Sequence, residues 1–243
     1  MQQSDTVENI FSRAWTLLTK NPVILIPGIV VGIAMGIIAF FVTPHVDYSS
    51  GDPTAAMGAA GRAIGAGLIM GAIGVIAYLV TQAYTVGMAG AAWRSGTTTL
   101  ADGAAAFQED AGRLLVALLL LGVIGVVLAI FTLGIGWLIF LFFAIYTVPA
   151  VVLSNLPATA ALSQSFSIAT KRFVPTLIII VLVFVIGLCA ALISLPLRFI
   201  PLIGPIIGNV ITQAVVAYTT LVIVGEYLSA RNAPDITPPT SAV

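Results

Sequence analysis

Two glutamines are the polar side chains that lie deepest in the apolar stretches of this chain. Gln82 and Gln213 each belong to a Thr-Gln-Ala triplet, at residues 81–83 and 212–214. A side-chain amide among apolar helices either hydrogen-bonds across a helix contact or faces a polar pathway. The residue types favour helix packing for both glutamines, and a pathway for an apolar or amphipathic molecule is the alternative.

Two charged residues near the ends of apolar runs are further candidates. The carboxylate of Glu226 can reach the membrane interface or pair with Arg231, and a proton or transport role for it is the lesser alternative. Arg198 lies between Pro196 and Pro201, where a planar guanidinium can bind a lipid phosphate or anchor the turn at the headgroups. Anchoring is the favoured interpretation of Arg198.

The remaining acidic residues and the single histidine give no strong signal for a metal or for acid-base chemistry. His45 shares the loop at residues 44–53 with two aspartates, a combination that is common by chance. Glu109 and Asp110 are adjacent and point to different sides of a helix, with Arg113 one turn beyond Glu109. We therefore predict a solvated face at 109–110, no metal site and no cofactor.

The sequence lacks the patterns that mark common hydrolases and nucleotide-binding enzymes. It contains no HExxH, no Gly-x-Ser-x-Gly and no Walker loop. With one histidine, and no acid or base deep in the apolar runs, an intramembrane hydrolase would lack its proton-transfer groups. We expect a protein that is not an enzyme.

Composition indicates where these residues lie. Of the 243 residues, 60% are hydrophobic and 7% are charged, against about a quarter charged in an ordinary soluble domain. The formal net charge is zero, so a nucleic-acid partner, which requires a basic surface, is excluded. The composition predicts an integral membrane protein whose partners are membrane lipids, with other membrane proteins as a further alternative.

The uncharged runs predict an all-α polytopic membrane helix bundle with about six transmembrane helices. Each run must be helical because backbone groups in hydrocarbon need hydrogen-bond partners within their own segment. The run at 114–153 is too long for one span, and residues 132–136, Thr-Leu-Gly-Ile-Gly, predict the turn that divides it. The spans are predicted at 22–42, within 63–93, in both parts of 114–153, at 173–194 and at 203–225. They form one transmembrane domain at 1–231, followed by a disordered tail at 232–243.

The basic residues predict the orientation of this bundle. Of nine Lys and Arg residues, all except Arg62 and Arg198 fall on the same side as the amino terminus when six spans are drawn. Cytoplasmic connections are enriched in Lys and Arg. We therefore expect a multi-pass protein of the plasma (inner) membrane with both termini in the cytoplasm.

Amphipathic stretches precede a pair of spans three times, around Trp15, Phe107 and Phe166. They predict short interfacial amphipathic helices. A unit of two spans returns the chain to the same side, so successive copies would be parallel and related by an axis along the membrane normal. Basic amphipathic connections are also ordinary in polytopic proteins. The pattern thus allows either three parallel two-span repeats or a bundle without a repeat.

Glycines recur at four-residue intervals in the first two spans. Such intervals allow the backbones of two helices to approach closely in lipid. We interpret them as packing faces inside the bundle, with oligomerisation as the alternative. The series are Gly28, Gly32 and Gly36 in span one, and Gly61 with Gly65 and Gly67 with Gly71 in span two.

Several segments together resemble a known family. They are Phe11-Ser12-Arg13-Ala14-Trp15, Asn21-Pro22, Val148-Pro149-Ala150-Val151-Val152-Leu153, Ala161-Leu162, Ser165-Phe166 and Lys171-Arg172-Phe173. The pattern is similar to the glycerophosphodiester phosphodiesterase membrane-domain-like family and related uncharacterised bacterial polytopic membrane proteins. The resemblance implies a fold, a membrane location and a role near lipid or envelope metabolism. Ser154 stands where that family has an acidic residue, and catalysis is not implied.

Two functions remain after these exclusions. The favoured one is a non-enzymatic membrane component that contacts lipids or partner proteins. The alternative is a transporter or channel for an apolar or amphipathic molecule. Its pathway would pass Gln82 and Gln213, with Glu226 and Arg198 as further polar contacts.

Overall fold

The structure is a computed structural model that describes residues 6–42, 53–197 and 203–232. Helices account for nearly all of these residues, and no strand occurs among them. The helices are α1 Val7–Lys20, a 3-10 helix Pro22–Leu25, α2 Ile26–Val42, α3 Pro53–Ser95, α4 Leu100–Phe131, α5 Ile135–Ala144, α6 Thr147–Ser154, α7 Ala158–Lys171, α8 Phe173–Leu197 and α9 Ile203–Arg231. The all-α prediction is confirmed.

Long apolar helices confirm the polytopic membrane architecture. Five segments in the described ranges are long and apolar enough to cross a membrane: Gly61–Ser95, Leu100–Phe131, Ile135–Ser154, Phe173–Pro196 and Val210–Arg231. A sixth is added if Val7–Lys20 and Pro22–Met35, which meet at 90°, are one broken span. The observed five to six spans agree with the predicted number.

The predicted turn between spans three and four is present, and span four contains a break that was not predicted. Leu133 (φ 51°) and Gly134 (φ 91°) separate α4 from α5, and Gly134 adopts the left-handed region without steric cost. Within span four, α5 ends at Ala144 and α6 begins at Thr147. Pro149 accounts for this break, because proline cannot donate to the carbonyl of Ile145 and its ring clashes there.

Other predicted boundaries differ from the structure. The middle amphipathic stretch is no separate helix; it is the beginning of α4, which continues into span three. Span five continues through Pro196 and ends at Leu197, one residue beyond a proline that cannot donate to the carbonyl of Leu192. The rest of the predicted turn at 198–201, and the predicted tail from residue 233 onward, lie outside the described residues.

Neighbouring spans make the same contacts three times. The first span of each pair packs against its own second span and against the second span of the preceding pair. Thus α2 contacts α3 and α9, α4 contacts α5–α6 and α3, and α8 contacts α9 and α5. The second spans α3, α6 and α9 also contact one another. This cyclic order is the arrangement expected for three parallel two-span repeats.

Aromatic contacts recur at the three amphipathic stretches. Each of the three aromatic residues recognised in the sequence packs against a ring on the second span of the preceding pair. The pairs are Trp15 with Tyr218 (5.9 Å between ring centroids), Phe107 with Tyr84 (5.9 Å), and Phe166 with Phe143 (5.0 Å). Together with the cyclic contacts, these pairs favour the repeat over an unrelated bundle.

Helices α1 and α7 have the same length and end in C-caps of similar backbone geometry. Both contain 14 residues. Their C-caps have similar backbone angles, φ −127° and ψ 65° at Asn21 and φ −112° and ψ 46° at Arg172. Each cap side chain bonds to the end of a second span or to the connection beyond it. Asn21 bonds to Gly96 and Thr98, and Arg172 pairs with Glu226.

Buried side chains concentrate at one end of the bundle, which contains α1, α6, α7 and the last turns of α9 and is called the closed end below. Trp93 is central to it: the indole Nε1 donates to the Leu221 carbonyl at 2.8 Å, and the Arg13 guanidinium lies 4.6 Å from the ring centroid. The ring also fills the space that a Cβ would occupy at Gly225. At the other end, Phe41 is 80% exposed and Leu133 is 95% exposed.

The predicted glycine packing faces are only partly correct. Gly28 packs against the side chain of Gln213, as a close helix contact requires. The packing interpretation is wrong for the span-two series, because a Cβ at Gly61, Gly65, Gly67 or Gly71 would meet no described atom within 4 Å. The tight approaches occur at other glycines, which are Gly87, Gly90, Gly103, Gly125 and Gly225. Periodicity identifies a helix face but not the neighbour that faces it.

Replacing Asn21 by alanine should destabilise the closed end. Its buried amide donates to the carbonyls of Leu17 (2.9 Å) and Gly96 (3.1 Å) and accepts from the amide of Thr98 (3.1 Å). Unpaired buried groups cost roughly 1–3 kcal/mol, so the free energy of unfolding should fall by about that amount, measured by tryptophan fluorescence in denaturant-titrated micelles. Asn9→Ala, on an exposed face of α1, is the matched control; equal stability of both variants would contradict the assigned role.

Candidate functional site

A cavity of about 1760 Å³ lies between the spans. Ordinary small-molecule pockets measure roughly 300–1,000 Å³, so this space is large enough for a lipid-sized molecule. Residues from α2, α3, α4, α5, α6, α8 and α9 line it, among them Met35, Gly74, Val123, Phe140, Pro149, Phe184 and Ile223. All the predicted pairs of spans therefore contribute to one site, which we call the central cavity.

The described wall of the central cavity is apolar and carries no charged side chain. Its polar members are Tyr78, Thr81 and Gln82 on α3, the indole of Trp137 on α5, and Gln213, Thr219 and Thr220 on α9. Transfer of an ion into such surroundings without a counter-charge is strongly unfavourable. The wall therefore suits an uncharged or apolar occupant.

The central cavity is open at its side. Several of its wall residues are more than half exposed, including Val126 (60%), Leu138 (67%) and Phe184 (69%). These side chains belong to apolar helices of membrane-spanning length. The cavity therefore opens to the surroundings of these helices, which in a membrane are lipid chains.

Both predicted glutamines face the central cavity, and their surroundings differ. Gln213 packs against Gly28, where the absent Cβ leaves room for its amide. Gln82 lies one helical turn from Tyr78, on the same face of α3. No described residue hydrogen-bonds to the Gln82 amide or to the Tyr78 hydroxyl. The structure thus places both glutamines at one site and leaves hydrogen-bonding capacity at Gln82.

Glu226 is buried and pairs with a different arginine from the one that its sequence neighbourhood indicated. Its side chain is fully buried, and Arg172 Nε lies 2.8 Å from its carboxylate. Arg231, the partner proposed from sequence, donates instead to the Ser154 hydroxyl at 3.0 Å. Arg172 reaches Glu226 because it caps α7 at the point where the chain turns into α8, a long-range placement that local spacing does not encode.

Further hydrogen bonds surround this ion pair and were missed by sequence reasoning. The Tyr146 hydroxyl lies 3.0 Å from Thr176 Oγ1, and the Tyr227 hydroxyl donates to Gln164 at 2.9 Å. The Ser165 hydroxyl donates to the Phe143 carbonyl and accepts from the Tyr146 amide, which satisfies both sides of the break in span four. We call Tyr146, Gln164, Ser165, Arg172, Thr176, Glu226 and Tyr227 the polar floor.

The polar floor adjoins one end of the central cavity. Ile145 and Ile223, which line the cavity, lie within three residues of floor members Tyr146 and Glu226. Tyr146 and Tyr227 are completely buried. The described residues therefore form an apolar cavity that has a buried polar layer directly beyond one end.

A smaller polar pocket of about 290 Å³ lies outside the central cavity, near Asp102, Glu109 and Asp110. The sequence suggested a pair between Glu109 and Arg113; instead Asp110 is buried and lies 3.0 Å from Arg113. No group of three or more potential metal-ligating side chains occurs within the described ranges. Arg198, and the loop that contains His45, lie outside these ranges.

No family model, curated protein or solved structure matches this chain. Function is therefore inferred from the central cavity, its open side and its polar floor.

Replacing Glu226 by glutamine should strongly destabilise the protein. Removing one partner of a buried ion pair leaves the other charge uncompensated and costs about 3–5 kcal/mol. The midpoint of denaturant unfolding, followed by tryptophan fluorescence, measures this loss. Glu109→Gln removes an exposed carboxylate and should change stability little.

The double variant Arg172→Leu, Glu226→Leu distinguishes charge burial from general packing damage. Removing both charges should recover much of the stability lost in Glu226→Gln, because no unpaired charge remains. A double variant that is less stable than Glu226→Gln would contradict the assignment of this ion pair.

Proposed function

We propose that this integral membrane protein binds a lipid or similar amphipathic molecule in its central cavity and is not an enzyme. The observation that carries the proposal is a cavity of about 1760 Å³ among membrane-spanning helices, with apolar walls and an open side. Helices in lipid pack by close contact between their side chains. The side chains around a space of this size lack packing partners until a molecule fills it.

The chemistry of the wall supports a binding role over catalysis. Along the described wall there is no carboxylate, amine, imidazole or thiol. Proton transfer and covalent catalysis usually depend on such groups. The uncharged hydroxyls and amides that are present can orient a ligand.

The distribution of basic residues supports a cytoplasmic closed end. Arg13, Lys20, Lys171, Arg172 and Arg231 belong to or adjoin α1, α7 and the end of α9. Enrichment of Lys and Arg on the inner side then places both termini in the cytoplasm of a plasma (inner) membrane protein. The open side of the cavity would face the lipid interior from that position.

Transport is the second candidate function. It is favoured by the convergence of Gln82 and Gln213 on one cavity, which a pathway requires. The buried polar floor opposes a continuous channel, so a transporter would need to separate α7 and α8 from α9. The resemblance to the glycerophosphodiester phosphodiesterase membrane-domain-like family agrees with a lipid-related role in either case, and it remains a prediction.

Filling the cavity should displace the bound molecule. Gly74 lines the cavity, and a Cβ there would meet no described atom within 4 Å, so Gly74→Phe adds a ring without a collision. Lipids co-purified from nanodiscs, counted by native mass spectrometry, should fall severalfold relative to the unmodified protein.

Gly65→Phe is the control for this experiment. Gly65 is on the same helix, does not line the cavity and has equally free space around its Cα. Lipid retention should be unchanged in this variant. Equal retention by both variants and the unmodified protein would refute lipid binding in the cavity.

A further inference from the structure

Two neighbouring side chains on the wall of the central cavity carry hydrogen-bonding groups without a described partner. Tyr78 and Gln82 are four residues apart on α3, which brings their side chains to one face about 6 Å apart along the axis. No described residue hydrogen-bonds to either polar group. An amide without a partner in apolar surroundings is unfavourable by roughly 1–3 kcal/mol. The pair therefore provides donors and acceptors for a ligand.

Three other polar side chains of the wall already have partners. The Thr81 hydroxyl donates to the Ala77 carbonyl at 2.9 Å, and the Thr219 hydroxyl donates to Val216 at 3.0 Å. The Gln213 side chain is held against Gly28 and has an interaction of its own. Thr220 and Trp137 each offer a single hydroxyl or N–H group, whereas Tyr78 and Gln82 together offer several donors and acceptors. A head with two polar groups is therefore drawn toward Tyr78 and Gln82.

The charge of the wall restricts the polar group further. No Lys, Arg, His, Asp or Glu occurs along the described lining, and the nearby Arg172 is neutralised by Glu226 in the floor. A phosphate placed beside Gln82 would lose its hydration without gaining a cation. An uncharged head keeps the hydrogen bonds and avoids this cost.

We propose that the central cavity selects an uncharged lipid whose head carries a hydroxyl and a carbonyl group, as in a diacylglycerol, and that Tyr78 and Gln82 bind this head. The Gln82 amide donates to the carbonyl and its oxygen accepts from the hydroxyl, while the Tyr78 hydroxyl supplies a second donor. The acyl chains occupy the apolar wall and leave through the open side. This inference rests on the proposed lipid-binding function.

The experiment is a competition in phosphatidylcholine nanodiscs that contain equal amounts of dioleoylglycerol and dioleoyl phosphatidic acid. Native mass spectrometry measures which lipid remains on the released protein. Since the acyl chains are identical, any preference reports on the head. The expected result is dioleoylglycerol enriched by about tenfold or more, and one neutral hydrogen bond corresponds to about two- to tenfold of that ratio.

Three variants test the residues. Gln82→Leu should reduce the enrichment about two- to tenfold or more, and Tyr78→Phe, which removes only a hydroxyl, should reduce it by a smaller factor. Gln108→Leu makes the same change at an exposed position outside the cavity and should retain the full enrichment. Because Tyr78→Phe removes no volume from the wall, it remains informative if Gln82→Leu fails to fold.

The outcomes separate this inference from the function on which it depends. Equal retention of the two lipids, a preference for phosphatidic acid, or a full enrichment in both Tyr78→Phe and Gln82→Leu would overturn the head selectivity while lipid binding stands. Retention of phosphatidylcholine alone would likewise overturn only the head selectivity. Retention of no lipid at all by the unmodified protein would overturn lipid binding itself, and the selectivity with it.

Discussion

The buried ion pair between Arg172 and Glu226 is the interaction on which the closed end depends. Two charges removed from water are stable only when they are close and well surrounded. The fold meets this condition by capping α7 with Arg172 and bringing the end of α9 to it at 2.8 Å. This pairing fixes the start of span five against the end of span six. The polar floor that adjoins one end of the central cavity follows from it.

The bundle consequently has two ends with different physical character. At the closed end, hydrogen bonds link side chains to distant backbone groups, as Trp93 does to Leu221 and Asn21 to Gly96. At the other end, apolar side chains such as Leu133 project outward with few neighbours. Local opening requires least free energy where buried contacts are few. The open side of the cavity is therefore the part of the protein best suited to admit a ligand.

Local sequence patterns predicted the spans and the turn at Gly134, because hydrophobic run length and glycine conformation are local properties. The same patterns placed Gln82 and Gln213 at equivalent positions of two repeats, and in the structure both side chains line the same cavity. The partner of Glu226 was not predictable, since Arg172 is 54 positions earlier in the numbering and reaches it only after α7 has packed. The unfilled surface beside Gly61 and Gly65 was unpredictable for the same reason. Which helix lies opposite a face is a property of the whole fold.

The break in span four makes the three sides of the cavity unequal, so a bound ligand has no equivalent orientations. Three identical second spans would offer an elongated ligand three equivalent orientations about the central axis. Only α3 and α9 carry the Thr-Gln-Ala triplet, while the third wall is interrupted at Ile145 and Tyr146. The polar groups of the cavity are therefore arranged unequally around its axis. A glycerol-based lipid has a stereogenic centre, and such a wall presents different partners to its two mirror forms.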